Sequence, residues 1–467
     1  MGNDLLKQKP QILNEGLEIF ADELSQNGVE TLQLDWKPPA GGNMALGHKL
    51  AQVLQHKDKI DEANQKAIQK VLNAQPVWVD VGLAKDVVPG FEENTISHAG
   101  PPVAWENMCG PMQGAVIGGL IYEGRAKNEA EARQVAASGE YKFVPNHHLK
   151  AVGPMTGVFT ANMPVMIVEN KENGNFAYAP FNTEGKGKPF SFGAFGEDTQ
   201  EMLRYIKDTI APAMKMAVQS AGGIDLKNIT AKALHMGDDC HNRLVASTSL
   251  LWKALIIELS KNKTPYDVIT SLAYTMYYND FFFLNQSMAA CKATMDAARD
   301  IPYSTLVTAM ARNGTEVGIQ VSGLGEQWFT TKSPKVRGVY FPGFSEEDAN
   351  PDLGDSAITE TTGIGAFAMA AALPMTQLVG GTVEDAINFT KTMKRITLAE
   401  SKAFTIPTLN FTGTPTGIDV LKVVEKGIVP VINTGIANKR AGEGIIGAGI
   451  VNLPMEAFEK ALMAMDF

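Results

Sequence analysis

Nine consecutive residues, His235-Met236-Gly237-Asp238-Asp239-Cys240-His241-Asn242-Arg243, gather two of the seven histidines, both signs of charge and a thiol. Imidazoles and carboxylates exchange protons, and a guanidinium fork holds two oxygens of a phosphate or carboxylate. From Leu244 the residues Val245, Thr248, Leu251, Trp252, Leu255, Ile256 and Leu259 recur at helical spacing, which puts Asp238 or Asp239 about where an N-cap belongs. The N–H groups of a helix start attract anions, so Asp239 to Asn242 with Arg243 form a candidate phosphate or carboxylate cradle. An aspartate at a helix start is also an ordinary cap, and His241 can equally face solvent.

A second constellation is Ser97-His98-Ala99-Gly100-Pro101-Pro102, where proline and glycine give a rigid loop that holds His98 in one orientation. Gly110-Pro111-Met112-Gln113-Gly114 recurs as Gly153-Pro154-Met155-Thr156-Gly157, with Asn146-His147-His148 shortly before the second copy. No base is identifiable beside Cys109, which favours a small buried thiol over a nucleophile. Gly442-Glu443-Gly444-Ile445-Ile446-Gly447 matches GxGxxG by letter but runs into an apolar extended segment instead of a helix, so a dinucleotide site is not expected. Lys439 and Arg440 place charge beside that loop.

The elements that must position these residues read as α/β and α+β in a multidomain chain. Residues 1–90 read as a small α/β domain, with strands Thr31 to Trp36 and Val77 to Leu83 around helices. Residues 91–235 read as α+β, with strands near Tyr141 to Val144, Gly157 to Ala161, Pro164 to Glu169 and Phe176 to Pro180, and a helix from Asp198 to about Ala221. Residues 236–304 carry helical periodicity divided by Pro265 and read as an all-α insert. Residues 305–467 read as α+β with Gly-rich loops, including strands Thr315 to Val321 and Ile428 to Asn433 and helices Val383 to Glu400 and Met455 to Met465.

At 467 residues the chain exceeds the length at which one core stops growing, and a net charge of -10 without a basic run argues against nucleic acid. Three cysteines without a CxxC pair fit a reducing compartment. With no leader pattern and no apolar run of membrane-spanning length, a cytoplasmic protein is expected.

Several of these motifs together resemble one family. Gln33-Leu34-Asp35-Trp36-Lys37-Pro38-Pro39, His98 to Pro102, Gly110-Pro111-Met112, His235 to Asp239, Asn242-Arg243, Asn313-Gly314 and Asn433-Thr434-Gly435-Ile436 are similar to the YlbE/YahG family. The resemblance implies an AllG-like subunit that works with an FdrA-like subunit in an enzyme of the oxamate carbamoyltransferase type. Such an enzyme converts oxalurate and phosphate to oxamate and carbamoyl phosphate. A small carbamoyl or carboxylate substrate, phosphate and no cofactor are expected.

That reaction needs an anion cradle, donors on the carbamoyl oxygen and an acid for the leaving nitrogen. His98, His235, Asp238 and Asp239 are the candidates for proton chemistry. Gly100, Asn242, Arg243, Asn313, Lys439 and Arg440 are the candidates for binding, with Asn242 or Asn313 polarising the carbonyl. His235, Asp238, Asp239 and Arg243 are expected to line one pocket with the His98 loop. Two alternatives stay open: a metal-assisted hydrolase or lyase on His235, Asp238, Asp239 and His241, and a non-catalytic scaffold.

Overall fold

The computed structural model describes residues 11–34, 38–183 and 188–466. Its architecture is a multidomain mixture of helices and several small sheets, the class that the sequence predicts. The expected strand at Thr31 is Glu30–Leu34, and Trp36 lies outside the described residues.

Alternation places Pro164–Asn170 and Asn175–Pro180 as neighbouring antiparallel strands. Pro76–Leu83 pairs antiparallel with Pro164–Asn170 and with Ile224–Asp225, completing a four-stranded sheet. It does not pair with Glu30–Leu34, which joins Gln11–Glu15 in a separate parallel pair.

The segment 236–304 holds helices and no strand among its described residues. Val245–Lys261 and Tyr266–Tyr278 flank Pro265 as expected, and the turn after Asn279 sets off a third helix, Leu284–Asp296. This last helix packs over the four-stranded sheet and is buried from Leu284 to Met295, Lys292 included. Phe283, Met288 and Met295 share one core with Trp78, Met166 and Val168. Each large apolar side chain buried there contributes about 1.5–3 kcal/mol relative to exposure.

Three expectations change. Gly157 to Ala161 is not a full strand: it lies along Thr95–His98 with an isolated antiparallel bridge between Ile96 and Thr160, while the Phe159 N–H goes to the Ser97 hydroxyl at 3.0 Å. The helix expected from Asp198 to Ala221 is interrupted by a π turn over Ile206–Ile210, where Pro212 offers no N–H to the preceding turn. The helix beginning at Val383 ends at Met393, and Thr397–Ile406 instead pairs with Thr412–Ile418 as a strand.

Two strands bring polar side chains into the interior. Val307–Asn313 and Val431–Ala437 are buried at every residue, and they carry Arg312, Asn313, Asn433 and Thr434. Among the described residues no helix is long and apolar enough to cross a membrane.

Candidate active site

The loop between helices Leu226–His235 and Val245–Lys261 is built by its own aspartates. The first helix stops where Gly237 adopts φ +96°, a conformation that disfavours other residues. Asp238 then accepts the N–H of Ser247 at 2.8 Å and its hydroxyl at 3.0 Å. It thus caps the second helix from outside, while the N-cap position itself is Leu244. Asp239 Oδ1 accepts the N–H groups of His241, Asn242 and Arg243, each at 2.9 Å. The anion held by the expected cradle is therefore the Asp239 carboxylate, whose other oxygen accepts Asn433 Nδ2 at 2.6 Å.

This internal capping turns the next side chains inward. His241 Nδ1 lies 2.8 Å from Glu360 Oε1, and both residues are buried. Glu360 is fixed in turn by the N–H of Ala366 at 3.0 Å and the hydroxyl of Thr359 at 3.0 Å. A carboxylate on one ring nitrogen sets the tautomer and orientation and directs the proton chemistry to the other nitrogen. His241 and Asn242 border a narrow cavity whose wall also includes Pro154, Ser356, Thr434 and Ile445. Asn242 Nδ2 is buried there with no hydrogen-bond partner.

Arg312 organises the opposite wall. It is fully buried, donates to Asp352 through Nε at 2.8 Å and Nη2 at 3.2 Å, and to the Gly354 carbonyl at 2.9 Å. Its Nη2 also donates to Ser356 Oγ at 3.4 Å and Thr434 Oγ1 at 3.3 Å. Ser356 Oγ accepts from behind, so its own hydrogen is available as a donor, while the Thr434 hydroxyl donates to the Gly435 carbonyl at 3.5 Å. Among the described residues lining the cavity there is no lysine or arginine.

The His98 loop forms a different, tightly packed cluster. His98 Nδ1 lies 2.9 Å from the Ala99 carbonyl, its Nε2 is buried without a partner, and burial pushes its pKa down to about 4. Gly100, at φ +82°, donates its N–H to Asp355 Oδ1 at 2.8 Å. A Cβ on it would stand 2.5 Å from the Arg312–Asn313 backbone. Asp355 also accepts from Asn146 Nδ2 at 2.8 Å and Gly153 N at 3.0 Å, and burial raises its carboxyl to about 6. Asn313 Nδ2 donates to the Pro101 carbonyl at 3.0 Å, so this side chain fastens the loop to its strand.

The remaining candidates lie apart from the cavity wall. His235 is exposed, with Nε2 2.8 Å from Thr405 Oγ1 and its ring edge on Phe411. Arg243 is one-third exposed, donates from Nε to the Gly237 carbonyl at 3.0 Å and stands 3.9 Å from Asp238. Burial raises Asp238 to about 6. Lys439 and Arg440 are exposed, and Lys439 Nζ donates to the Glu347 carbonyl at 2.6 Å. The single pocket expected to combine His235, Asp238, Asp239 and Arg243 with the His98 loop does not form, because the aspartates turn to backbone donors and His235 turns outward. The metal set of His235, Asp238, Asp239 and His241 does not assemble either. Among the described residues no three His, Cys, Asp or Glu side chains stand together as a metal ion would require. Burial pushes the Cys109 thiol up to about 11, which leaves it a poor nucleophile.

Sequence reasoning missed Glu360, Ser356 and Arg312. One signal marks Glu360: it is the only charged residue between Asp355 and Glu384.

Comparison with known proteins supplies the context for this geometry. A family profile described as "Oxamate carbamoyltransferase subunit AllG" matches residues 141–356. The chain is 46% identical to "Uncharacterized protein YahG" of Escherichia coli (strain K12) over 99% of its length and 98% of that protein. It is 45% identical to "Oxamate carbamoyltransferase subunit AllG" of the same organism over 87% of its length and 97% of that protein. A crystal structure of a conserved protein of unknown function from Enterococcus faecalis V583 superposes with TM-score 0.85 at 45% identity, covering 87% of this chain and 97% of the other.

Proposed function

The chain belongs to the AllG family of oxamate carbamoyltransferase subunits, and from that membership we propose that it supplies the carbamoyl-binding part of such an enzyme, with His241 as its proton-transfer residue. The observation that carries the proposal is the His241–Glu360 contact beside a cavity into which Asn242 presents an unmatched amide.

In the proposed reaction a phosphate oxygen attacks the carbamoyl carbon of an oxalurate-type substrate. The C–O bond forms, the C–N bond breaks, and the leaving nitrogen takes a proton from His241, giving an amide and carbamoyl phosphate. Asn242 Nδ2 and the hydroxyl of Ser356 donate to the carbamoyl oxygen as negative charge develops on it. Glu360 holds the ring and stabilises its cationic form. These groups suit an uncharged carbamoyl group, but without a cation they do not compensate phosphate. The phosphate site is therefore assigned to an FdrA-like partner subunit, which makes the reaction a property of the complex.

The test is phosphate-dependent release of carbamoyl phosphate from oxalurate by the purified chain, with and without the FdrA-like partner. Turnover is expected in the mixture and not in either chain alone. Full turnover by the isolated chain, or none in any reconstituted mixture, overturns the proposal.

A further inference from the structure

Residues 11–34 form a unit that the rest of the fold does not use. Gln11–Glu15 and Glu30–Leu34 pair in parallel, and the helix Glu18–Gln26 connects them. Parallel strands are ordinarily buried on both faces within a larger sheet, and an isolated strand pair has little stability of its own. Leu13 and Leu32 are partners in the register, and they are 61% and 62% exposed, whereas Ile12 and Thr31 on the opposite face are half-buried. Leu17, Ile19 and Phe20 are exposed as well, and the helix buries Ala21 alone. Among the described residues, none of this unit belongs to a hydrophobic core of the chain, and its side-chain hydrogen bonds are all internal.

The charge of the unit is one-sided too. Glu15, Glu18, Asp22, Glu23 and Glu30 are exposed, and residues 11–34 contain no lysine or arginine, although the whole chain has a net charge of only -10. We infer that this unit is a docking arm, which adds its strand pair to the open edge of a parallel sheet in the FdrA-like partner subunit, against a basic surface. The inference rests on the reading of the chain as part of a two-subunit enzyme and gives that enzyme its point of attachment. This chain offers the arm no comparable edge. Among the described residues its other sheets are antiparallel, except for the four-residue pair Thr95–His98 with Lys142–Pro145, where Gly157 to Ala161 already lies along Thr95–His98. A second copy fits poorly, because two acidic arms repel each other. The subunit to which phosphate is assigned is the one that needs cations, so its charge complements the arm.

The experiment measures association of the full-length chain with the purified FdrA-like subunit, by calorimetry and by light scattering after gel filtration. The unaltered chain should bind, and its affinity should fall as salt rises, because acidic and basic surfaces meet. Leu13→Thr combined with Leu32→Thr keeps strand propensity and charge but removes the exposed apolar pair. It should weaken association by roughly tenfold or more, the loss that follows truncation of interface anchors, and leave the chain's own denaturant midpoint unchanged. Glu18→Gln combined with Glu23→Gln should flatten the salt dependence, which gives a second readout that does not involve the strands. Association that neither pair of substitutions alters, or no association of the unaltered chain, overturns the inference. So does a chain that dimerises by itself and becomes monomeric in the Leu13→Thr, Leu32→Thr variant. Phosphate-dependent turnover of oxalurate in the mixture judges the other reading separately. Turnover with association that ignores the arm sinks the inference alone, and arm-dependent association without turnover sinks the carbamoyltransferase reading alone.

Discussion

The Asp238–Arg243 loop and the Ser97–Pro102 loop both place a histidine among buried carboxylates, but only the first opens onto space. His241 is oriented by Glu360 at 2.8 Å and borders a cavity with an unmatched Asn242 amide. His98 is sealed, its Nδ1 against the Ala99 carbonyl, and none of His98, Gly100, Asn146 or Asp355 lines the cavity beside His241. Burial and charge alone therefore do not distinguish a working histidine from a structural one. Space next to a free polar atom does.

Arg312 ties the Asp352–Ser356 stretch to Thr434 in the buried wall beside the His241 cavity, so removing it should have the largest effect. Arg312→Leu leaves Asp352 buried without its cation and releases Ser356 and Thr434, a loss of about 3–5 kcal/mol. Denaturant unfolding measures it, and a loss below about 1 kcal/mol would show that this wall does not depend on the Arg312–Asp352 pair.

Gly100→Ala acts on the His98 loop alone. The left-handed conformation at φ +82° and the approach to backbone at 2.5 Å should cost about 2–3 kcal/mol. Acylurea binding by the folded fraction should stay unchanged. Altered ligand affinity in that fraction would mean that the loops form one site after all.

Asp238 tests the other loop through pH. Burial raises its pKa from 3.8 to about 6, so between about pH 4 and 6 the folded chain keeps a proton that the unfolded chain has lost. This group's stabilising contribution is present at low pH and is lost as pH rises through 6. Asp238→Asn should remove that fall, so the variant should gain on the order of 2 kcal/mol relative to the parent between pH 4.5 and 7. His98, held down at about 4, contributes a slope of opposite sign that is identical in both proteins and cancels from the comparison. Equal pH dependence of the two proteins would remove Asp238 from the account.

The smallest effect is expected at Arg243. It is one-third exposed and bonded to a backbone carbonyl, so Arg243→Lys should change stability and ligand affinity by less than about 1 kcal/mol. A large loss of anion affinity would restore the cradle that the sequence suggests.

Much of the fold was legible because local pattern and tertiary environment agree. Pro164–Asn170 and Asn175–Pro180 alternate as strands and form them, and the periodicity from Leu244 becomes Val245–Lys261. Where pairing overrides propensity the pattern misleads: Thr397–Glu400 continues a helical run by letter, yet its partner strand Thr412–Ile418 decides the outcome. The candidate site was half legible. The nine-residue stretch was found, but the roles within it depended on partners far away in sequence. Asp239 meets Asn433 and His241 meets Glu360, and no local spacing encodes either contact.

The most direct test compares the two histidines in the reconstituted chain and FdrA-like partner, measuring kcat for phosphate-dependent cleavage of an acylurea. His241→Gln should lower kcat by roughly 10²–10⁴, the range for loss of a general acid, while His98→Gln should leave the kcat of the folded protein within a few-fold of the parent. Full activity in His241→Gln, or a comparable loss in both variants, would contradict the assignment of the cavity beside His241 as the site of chemistry.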